Sequence, residues 1–240
     1  MSTFVTLAEV LEARGAPLDE DEVWSLLLGT VESLLDTSFN MCSLISPGSL
    51  LLSASGGLAF RSCAWSEEMC SFTAPEVLQG RAITTRLAVE KVLIYSLGMT
   101  LYWSVDYQLP QNEPVQLSGH LNSLLLSMCE DTALRRADLL RVREMCEHHH
   151  KAALLFPPSR VISQLVEEVL HDAVSCTSIR MCQGGDTSHL NHRSQAIRDR
   201  LHGEEHLPWP PCSTCLFPNF FSGSLRQLAE TNTAMKKLME

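Results

Sequence analysis

The residues best suited to metal binding are three consecutive histidines beside a cysteine. Cys146 precedes the run His148 to His150, and thiolate and imidazole are ligands that zinc takes in proteins. Adjacent residues on a helix point in different directions, so the run cannot converge on one ion. Cys212 and Cys215 have the spacing of half a zinc knuckle, but no second Cys or His pair stands at the required distance. The sequence therefore predicts no metal site.

Signatures of catalysis are absent from the sequence as well. It contains no Gly-x-Ser-x-Gly elbow, no His-Glu-x-x-His helix and no cysteine loop of the tyrosine-phosphatase kind. A glycine-rich nucleotide loop and a Val-Ala-Ile-Lys strand are also missing. We expect no enzymatic activity, no catalytic residues and no cofactor.

Composition favours one folded domain and excludes nucleic acid as the main partner. Of the 240 residues, 45% are hydrophobic and 19% are charged, which is typical of a chain that folds around a core. The net charge is −10, whereas phosphate binding needs a basic face. The nine cysteines lie mostly in apolar stretches, and we recognise no signal peptide. We therefore expect a cytoplasmic location without disulfide bonds.

Two helix starts are marked near the beginning of the chain. Thr6 and Glu9 form a capping box, and Gly15 stands where a left-handed residue would end the first helix. Asp19 and Glu22 repeat the capping device for a second helix. Its apolar face has helical spacing over a dozen residues: Val23, Leu26, Leu27, Val31, Leu34 and Leu35.

The most apolar segment, Val92 to Val105, predicts a central buried helix, because a helix that is apolar on every side must be surrounded by protein. Ser96, Gly98, Thr100 and Ser104 interrupt it, and Gly98 would let a neighbouring backbone approach closely. Fourteen residues at helical rise reach about 21 Å, short of the roughly 30 Å core of a bilayer. We therefore predict no integral membrane segment.

The segments before this helix are predicted to be less regular. In residues 42–60, a run of leucines precedes Gly56-Gly57, and apolar residues alternate with other residues after it. This pattern predicts a small β-hairpin. Residues 61–71 and 80–90 show no period and are predicted to be exposed loops.

Three more amphipathic helices are predicted after the central one. They cover the apolar residues at 121–128, those that follow Asp138, and those that follow Pro157-Pro158. Glycine, serine and proline accumulate afterwards. We therefore place the folded domain at residues 1–176 and a linker with a low-order tail at residues 177–240.

One pair of motifs resembles the protein kinases. Ala74-Pro75-Glu76, followed by Tyr95-Ser96-Leu97-Gly98, is similar to the end of the activation segment and the central helix of the kinase C-terminal lobe. In that lobe an arginine from a later helix pairs with the glutamate of the Ala-Pro-Glu turn. The resemblance implies a structural ion pair between Glu76 and Arg136 here.

The same resemblance implies that the catalytic residues of a kinase are missing. The position of the catalytic aspartate holds Leu44, that of the following lysine Ser46, and that of the metal-binding asparagine Ser49. The Asp-Phe-Gly turn would fall near Ser62-Cys63-Ala64. No carboxylate is left there to orient a hydroxyl or hold Mg²⁺. Since only about 40 residues precede the hairpin, we expect the nucleotide-covering N-lobe to be absent.

A kinase C-lobe without its catalytic residues resembles the KIND domain, the kinase non-catalytic C-lobe domain. The implied fold class is mainly α, a kinase C-lobe-like helical domain with a small β-hairpin. Several motifs resemble the amino-terminal regions of large FERM- and PDZ-containing tyrosine phosphatases and scaffold proteins. Because no FERM, PDZ or phosphatase domain follows, we expect a truncated form without phosphatase activity. The motifs are Val5 to Trp24, Phe72 to Gln79, Ile94 to Trp103, His120 to Asp131 and Arg193 to Leu201.

The KIND resemblance implies a protein-interaction module, because in Spire-type proteins this domain holds a basic formin tail in an acidic groove. Residues 1–40 contain eight carboxylates and a single base, Arg14, which leaves a local net charge of −7. We predict a partner with a basic segment, formin-tail-like or cytoskeletal, and a location in the cytoplasm or at the cell cortex. The candidate contacts are acidic residues on and just before the second helix: Glu32, Asp36, Asp19 and Glu20.

Three alternatives remain open at this point. The acidic stretch can be only a soluble surface. The chain can be a degenerate kinase remnant that still binds a nucleotide or a metal. It can also be a membrane adaptor at the cortex, although a net charge of −10 repels anionic lipid unless the basic piece Arg193 to Arg200 acts locally.

Overall fold

The computed structural model describes residues 4–36, 44–62, 67–109 and 115–180, and within these ranges the fold is mainly α with a small antiparallel sheet. This confirms the predicted fold class. A short 3₁₀ helix, Glu67–Phe72, interrupts the loop that was predicted at residues 61–71. The helices are α1 (Leu7–Arg14), α2 (Glu20–Asp36), α3 (Pro75–Leu78), α4 (Arg86–Val105), α5 (Gly119–Met128), α6 (Leu139–Ala153) and α7 (Pro158–Arg180); the strands are β1 (Phe4–Thr6), β2 (Leu50–Ser53) and β3 (Leu58–Phe60).

The first two helices start where the capping residues predict. The Glu9 N–H donates to Thr6 Oγ1 at 3.1 Å, and the Glu9 carboxylate accepts from the Thr6 N–H at 2.7 Å, so both halves of the capping box form. Gly15 follows α1 with a φ of +64°, in the left-handed region that glycine enters without steric cost. Ahead of α2, the Asp19 N–H donates to the Glu22 carboxylate at 2.8 Å.

The sheet has the strand order β1-β2-β3 and is antiparallel throughout. The predicted hairpin is β2 with β3, in a register that sets Leu51 opposite Ala59. Its third strand was not anticipated: β1 pairs with β2 so that Val5 lies opposite Leu52. Both of these side chains are buried. The residues that lead into α1 therefore also contribute to the core.

The central helix α4 is longer than predicted, because its first turns mix apolar and charged residues that lie outside the core. It begins at Arg86 and not at Val92, and Thr85 caps it, since Thr85 Oγ1 accepts from the Ala88 N–H at 3.1 Å. The loop prediction through residue 90 is therefore wrong from Arg86 onward. Residues in these first turns are exposed or half-buried and carry no apolar period. From Val92 onward most of the helix is buried, as predicted.

Gly98 lies where α4 packs closely against α5. A Cβ atom at this position would lie 2.8 Å from Cys129 Sγ and 2.9 Å from Met128 Cβ, which is closer than ordinary van der Waals contact. Glycine is needed here because it lets the end of α5 approach the α4 backbone. This is the close approach that a glycine in a buried helix predicts.

The last three helices follow the predicted apolar faces. Asp138 caps α6 as predicted, since its carboxylate accepts from the Arg141 N–H at 2.8 Å. Helix α7 packs against α1, α2 and β2. It continues to Arg180, past the predicted domain boundary at residue 176. That boundary stays a prediction, and the predicted tail with the Cys212 and Cys215 pair lies outside the described residues.

Candidate functional site

The loop at the position of the kinase catalytic loop is held against the central helix. The Ile45 N–H donates to Ser96 Oγ at 3.1 Å, and Thr100 Oγ1 donates to the Ile45 carbonyl at 3.1 Å. Ser96 and Thr100 are one turn apart on α4, and both are fully buried. Small polar residues that interrupt the apolar helix therefore anchor this loop, a role that hydrophobic periodicity does not reveal.

Ser46 and Ser49, which occupy positions of catalytic residues in the kinase resemblance, form a hydrogen-bonded turn here. Ser46 and Ser49 are buried. The Ser46 N–H donates to Ser49 Oγ at 2.7 Å, and the Ser49 hydroxyl donates to the Ser46 carbonyl oxygen at 3.2 Å. Leu44 has no ionisable group, and of the Asp-Phe-Gly position Ser62 is exposed while residues 63–64 lie outside the described ranges. Leu44, Ser46 and Ser49 supply no group for phosphoryl transfer.

Glu76 and Arg136 lie in direct contact. Arg136 Nη1 donates to Glu76 Oε1 at 2.8 Å, and Nη2 donates to Oε2 at 3.1 Å, which is the bidentate geometry of a strong charge-assisted pair. The Arg136 side chain is fully buried, and that of Glu76 is 10% exposed. The structure thus brings together the two residues that the kinase resemblance pairs. They connect α3 to the segment between α5 and α6.

The surroundings of this pair make it part of the architecture. Arg136 Nε donates to the Glu130 carbonyl at 2.9 Å, Nη1 also donates to the Lys91 carbonyl at 2.6 Å, and the guanidinium lies 4.9 Å from the Tyr95 ring centroid. Burial alone would raise the pKa of Glu76, but the hydrogen bonds and the positive charge of Arg136, with a backbone hydrogen bond and the charge of Arg81, together lower that pKa. The charges of Glu76 and Arg136 are therefore paired with each other inside the fold.

The four acidic residues predicted as partner contacts do not form one site. Glu32 and Asp36 are exposed, one turn apart at the carboxyl end of α2, and Asp19 is exposed ahead of its amino end. Glu20 instead makes contacts within the domain, because its carboxylate accepts from both the backbone N–H and the hydroxyl of Ser118. Glu20 therefore has a structural role within the domain, and its contact with a partner stays a prediction.

Glu20 ties the start of α2 to the start of α5. The Ser118 N–H lies 2.9 Å from its carboxylate, and the Trp24 indole N–H donates to the same group at 3.3 Å. Burial would raise the pKa of Glu20, but these hydrogen bonds together lower it. The carboxylate therefore stays ionised as a structural acceptor, since bonds to the charged form favour that form.

A groove of about 880 Å³ opens between the first turn of α2 and helix α7. Apolar side chains and carboxylates line it together, a combination that suits a ligand with both apolar and basic groups. We call it the α2–α7 groove. Its apolar lining is Phe156, Val161 and Leu170, and its carboxylates are Asp21 and Glu22 from α2 and Glu167 and Glu168 from α7.

Arg14 neutralises part of this acidic charge. Its guanidinium donates to the two oxygens of Glu22 at 2.6 and 2.7 Å and to Glu168 at 2.7 Å. These contacts raise the pKa of Arg14, the hydrogen bonds to Glu22 being the largest cause. Asp21 and Glu167 form no ion pair with any residue that the structure describes. Four carboxylates against the single positive charge of Arg14 leave the groove a formal net charge of −3, of which Asp21 and Glu167 carry two.

The histidine run lies on α6, and two of its members are half-buried and contact other residues of the domain. His149 stacks on Trp24 with ring centroids 4.2 Å apart and an angle of 15° between the planes. His150 Nδ1 lies 3.1 Å from the Cys146 carbonyl oxygen, while His148 is exposed. Within the described ranges, no three His, Cys, Asp or Glu side chains are grouped so that they could hold a metal ion.

Sequence reasoning missed the α7 side of the groove. Glu167 and Glu168 stand between the buried residues Val166 and Val169, so the pattern shows that they point away from the core. Such a pattern is typical of any solvated helix face. That α7 faces the start of α2 is a tertiary relationship, and no local signal in the sequence contains it.

These observations define a class of protein. A helical lobe with a buried glutamate–arginine pair at its Ala-Pro-Glu turn, and a catalytic-loop position without catalytic side chains, is a non-catalytic kinase C-lobe. The sequence profile of the KIND family, described as the kinase non-catalytic C-lobe domain, matches residues 5–146. The chain belongs to this family. Within the described residues, no helix has the length and apolar character required to span a membrane.

Similar curated proteins confirm the resemblance. The chain is 43% identical over 215 residues to human tyrosine-protein phosphatase non-receptor type 13, a match that covers 83% of this chain and 8% of that protein. It is 40% identical over 238 residues to mouse FERM and PDZ domain-containing protein 2, covering 97% and 17%. Human kinase non-catalytic C-lobe domain-containing protein 1 is 26% identical over 144 residues, covering 60% and 8%. The chain thus spans less than a fifth of the length of these relatives.

Proposed function

We propose that this domain is a non-catalytic protein-interaction module that binds a basic segment of a partner protein in the α2–α7 groove. The observation that carries the proposal is an apolar lining bordered by four carboxylates. Two of them, Asp21 and Glu167, form no ion pair with the described residues. Complementary charge of this kind accelerates association and selects among partners.

The lining sets requirements on the ligand. Asp21 and Glu167 favour arginine or lysine side chains, and arginine more, because its planar guanidinium binds a carboxylate with two hydrogen bonds. Phe156 is 54% exposed, and the Arg160 guanidinium lies 4.1 Å from its ring centroid. An apolar ligand side chain that covers Phe156 would contribute to the binding free energy, because apolar surface of both groups is removed from water. The expected ligand is a short peptide segment that combines basic and aliphatic residues.

The proposal includes the absence of enzymatic activity. Leu44, Ser46 and Ser49 provide neither a base for a hydroxyl nor ligands for Mg²⁺. The phosphatase activity in the name of one relative belongs to that protein, of which this chain matches 8%. A cytoskeletal partner at the cell cortex is the kind that the Spire-type resemblance suggests, and it belongs to the proposal in that form only.

The proposal is tested with a defined probe, a fluorescein-labelled peptide of nine residues with three arginines and two leucines spaced four apart. Its affinity for the full chain is measured by fluorescence anisotropy. We expect the double variant Asp21→Asn/Glu167→Gln to bind it more weakly, by up to about tenfold, since two charge contacts of about 0.7 kcal/mol each give that factor at most.

The matched control is Glu32→Gln/Asp36→Asn, which removes the same charge from the other end of α2. This variant also tests the contacts predicted from the sequence. Weaker binding in the control alone would move the site to Glu32 and Asp36. Equal losses in both variants would reveal only non-specific attraction to an acidic chain and would contradict the groove. Thermal melts of both variants show whether the fold is kept.

A further inference from the structure

We infer that the α2–α7 groove is occupied in cis by a basic segment of this chain, Arg193 to Leu201, and that an external partner must displace it. The inference rests on the groove proposed above as a binding site, and it names the resident occupant of that site. The segment lies outside the described residues. Three features support the assignment: its composition, its charge relative to the groove, and the length of chain that connects the two.

The composition of the segment matches the lining of the groove. Ile197 and Leu201 are four residues apart, so on a helix they would share one face. Such a face would be apolar, as is the lining formed by Phe156, Val161 and Leu170. The charged residues of the segment are three arginines and one aspartate, which give it a net charge of +2: Arg193, Arg198, Arg200 and Asp199.

The charges of the two parts are complementary. Arg14 already binds Glu22 and Glu168, which leaves the carboxylates of Asp21 and Glu167 without an ion pair to the described residues. The groove with Arg14 has a formal net charge of −3 and the segment one of +2, so the two are opposite in sign. The rest of the chain after residue 201 has three bases, Arg226, Lys236 and Lys237, which are spread over a longer stretch. Basic residues are therefore more closely spaced in Arg193 to Leu201 than in the rest of the tail, and this segment complements the acidic groove better.

The connecting chain is long enough to bring the segment back. Helix α7 lines the groove as far as His171 and ends at Arg180, so it carries the chain about 14 Å beyond the groove. As a random coil, the 13 residues from Arg180 to Arg193 would have a root-mean-square span of about 20 Å, and fully extended they would reach about 45 Å. The segment can therefore reach the groove without being fully extended.

Tethering makes even a weak contact effective. A short linker gives its segment an effective concentration in the mM range, so a dissociation constant of about 0.1 mM keeps the groove mostly filled. An external ligand then binds with an affinity that is reduced by the fraction of open groove. The full chain would be self-restrained, and a partner that binds elsewhere on the segment would open the groove.

The first test compares the anisotropy probe on full-length chains. In the variant Arg193→Gln/Arg198→Gln/Arg200→Gln, we expect the probe to bind about tenfold more tightly than to the unaltered chain, because the groove is vacated. The matched control, Arg226→Gln/Lys236→Gln/Lys237→Gln, removes the same charge from the tail. It is expected to bind the probe as the unaltered chain does, which excludes a general effect of net charge.

The second test locates the segment directly. No lysine occurs between residues 152 and 235, so Arg198→Lys introduces a single amine there. A zero-length carbodiimide joins an amine to a neighbouring carboxylate as an amide, and mass spectrometry of the monomeric product maps the link. We expect the introduced amine to couple to Asp21 or Glu167. An amine introduced by Gln183→Lys, outside the segment, is expected to leave those carboxylates unlinked.

The outcomes separate this inference from the proposed function. Equal probe affinity for the unaltered chain and the arginine variant, without a cross-link to the groove, would overturn the cis contact and leave the groove as a site for partners. A cross-link from Lys236 or Lys237 to the groove would also overturn the assignment to Arg193–Leu201. A probe that binds neither the unaltered chain nor the arginine variant would overturn the groove and the proposed function together.

Discussion

Arg136 donates two parallel hydrogen bonds to Glu76, at 2.8 and 3.1 Å, from a side chain that has no exposure to solvent. The pair occurs in a domain whose catalytic-loop position holds Leu44, Ser46 and Ser49. Its role is therefore separate from phosphoryl transfer. It joins α3 to the later helices. Backbone carbonyls around Arg136 accept further hydrogen bonds from its guanidinium.

Removal of Arg136 should destabilise the fold strongly. In Arg136→Ala the Glu76 carboxylate loses its buried partner, which typically costs about 3 to 5 kcal/mol. For a domain of this size the thermal midpoint should fall on the order of 10 °C, as measured by circular dichroism. The control is Arg143→Ala, which removes an exposed i,i+4 pair with Glu147 and should change stability by less than about 1 kcal/mol. An unchanged midpoint for Arg136→Ala would contradict the structural role of the pair.

The same pair should make stability depend on pH. The pKa of Glu76 is lowered in the fold, so the unfolded chain, in which a glutamate titrates near about 4.3, takes up the proton more readily. The stabilisation is therefore present above about pH 4.3 and is lost as the pH falls through the lowered pKa of the folded state. Urea unfolding measured between about pH 6 and 3 should show a shallower decline for Glu76→Gln than for the unaltered chain. Parallel curves would refute this account.

A methyl group at position 98 should destabilise the contact between α4 and α5. In Gly98→Ala the new Cβ would lie 2.9 Å from Met128 Cβ, so one helix must shift. The expected cost of overpacking is about 1 to 3 kcal/mol, which exceeds the helix-propensity gain of about 1 kcal/mol. Gly119→Ala is the control, because its Cβ would meet no heavy atom within 4 Å. Urea midpoints should fall for the first variant only, and equal midpoints would show that the interface accommodates the methyl group.

Binding of the basic probe should weaken as salt is added. The contacts with Asp21 and Glu167 are at the surface, where ions screen them once the Debye length approaches about 8 Å near physiological ionic strength. The affinity measured by anisotropy should therefore fall steadily with added NaCl, and Asp21→Asn/Glu167→Gln should flatten that slope. A slope that is the same in both proteins would place the charge contacts outside the groove.

The fold was predictable from sequence wherever a signal is local. The box of Thr6 and Glu9, the cap at Asp138 and the apolar run from Val92 each mark an element that the structure contains. The first turns of α4 gave no such signal, because exposed and half-buried residues without an apolar period are hard to distinguish from a loop. Strand β1 was missed because three residues are too few for an alternating pattern and depend on β2 for their pairing.

Of the candidate site, only its negative charge was predictable from the sequence. An excess of carboxylates in the first 40 residues predicted an acidic surface, but not which of them remain available. Ser118 engages Glu20, and Arg14 engages Glu22, because residues distant in sequence come together on folding. The contribution of Glu167 depends equally on the packing of α7 beside α2.

The central claim is that this KIND domain binds a basic peptide and not a nucleotide. Calorimetric titration of the full chain with the anisotropy probe and, separately, with Mg–ATP tests it most directly. The expected result is binding heat from the peptide, reduced in Asp21→Asn/Glu167→Gln, and none from Mg–ATP. Binding heat from Mg–ATP with none from the peptide would contradict the account and favour a kinase remnant that has kept its nucleotide.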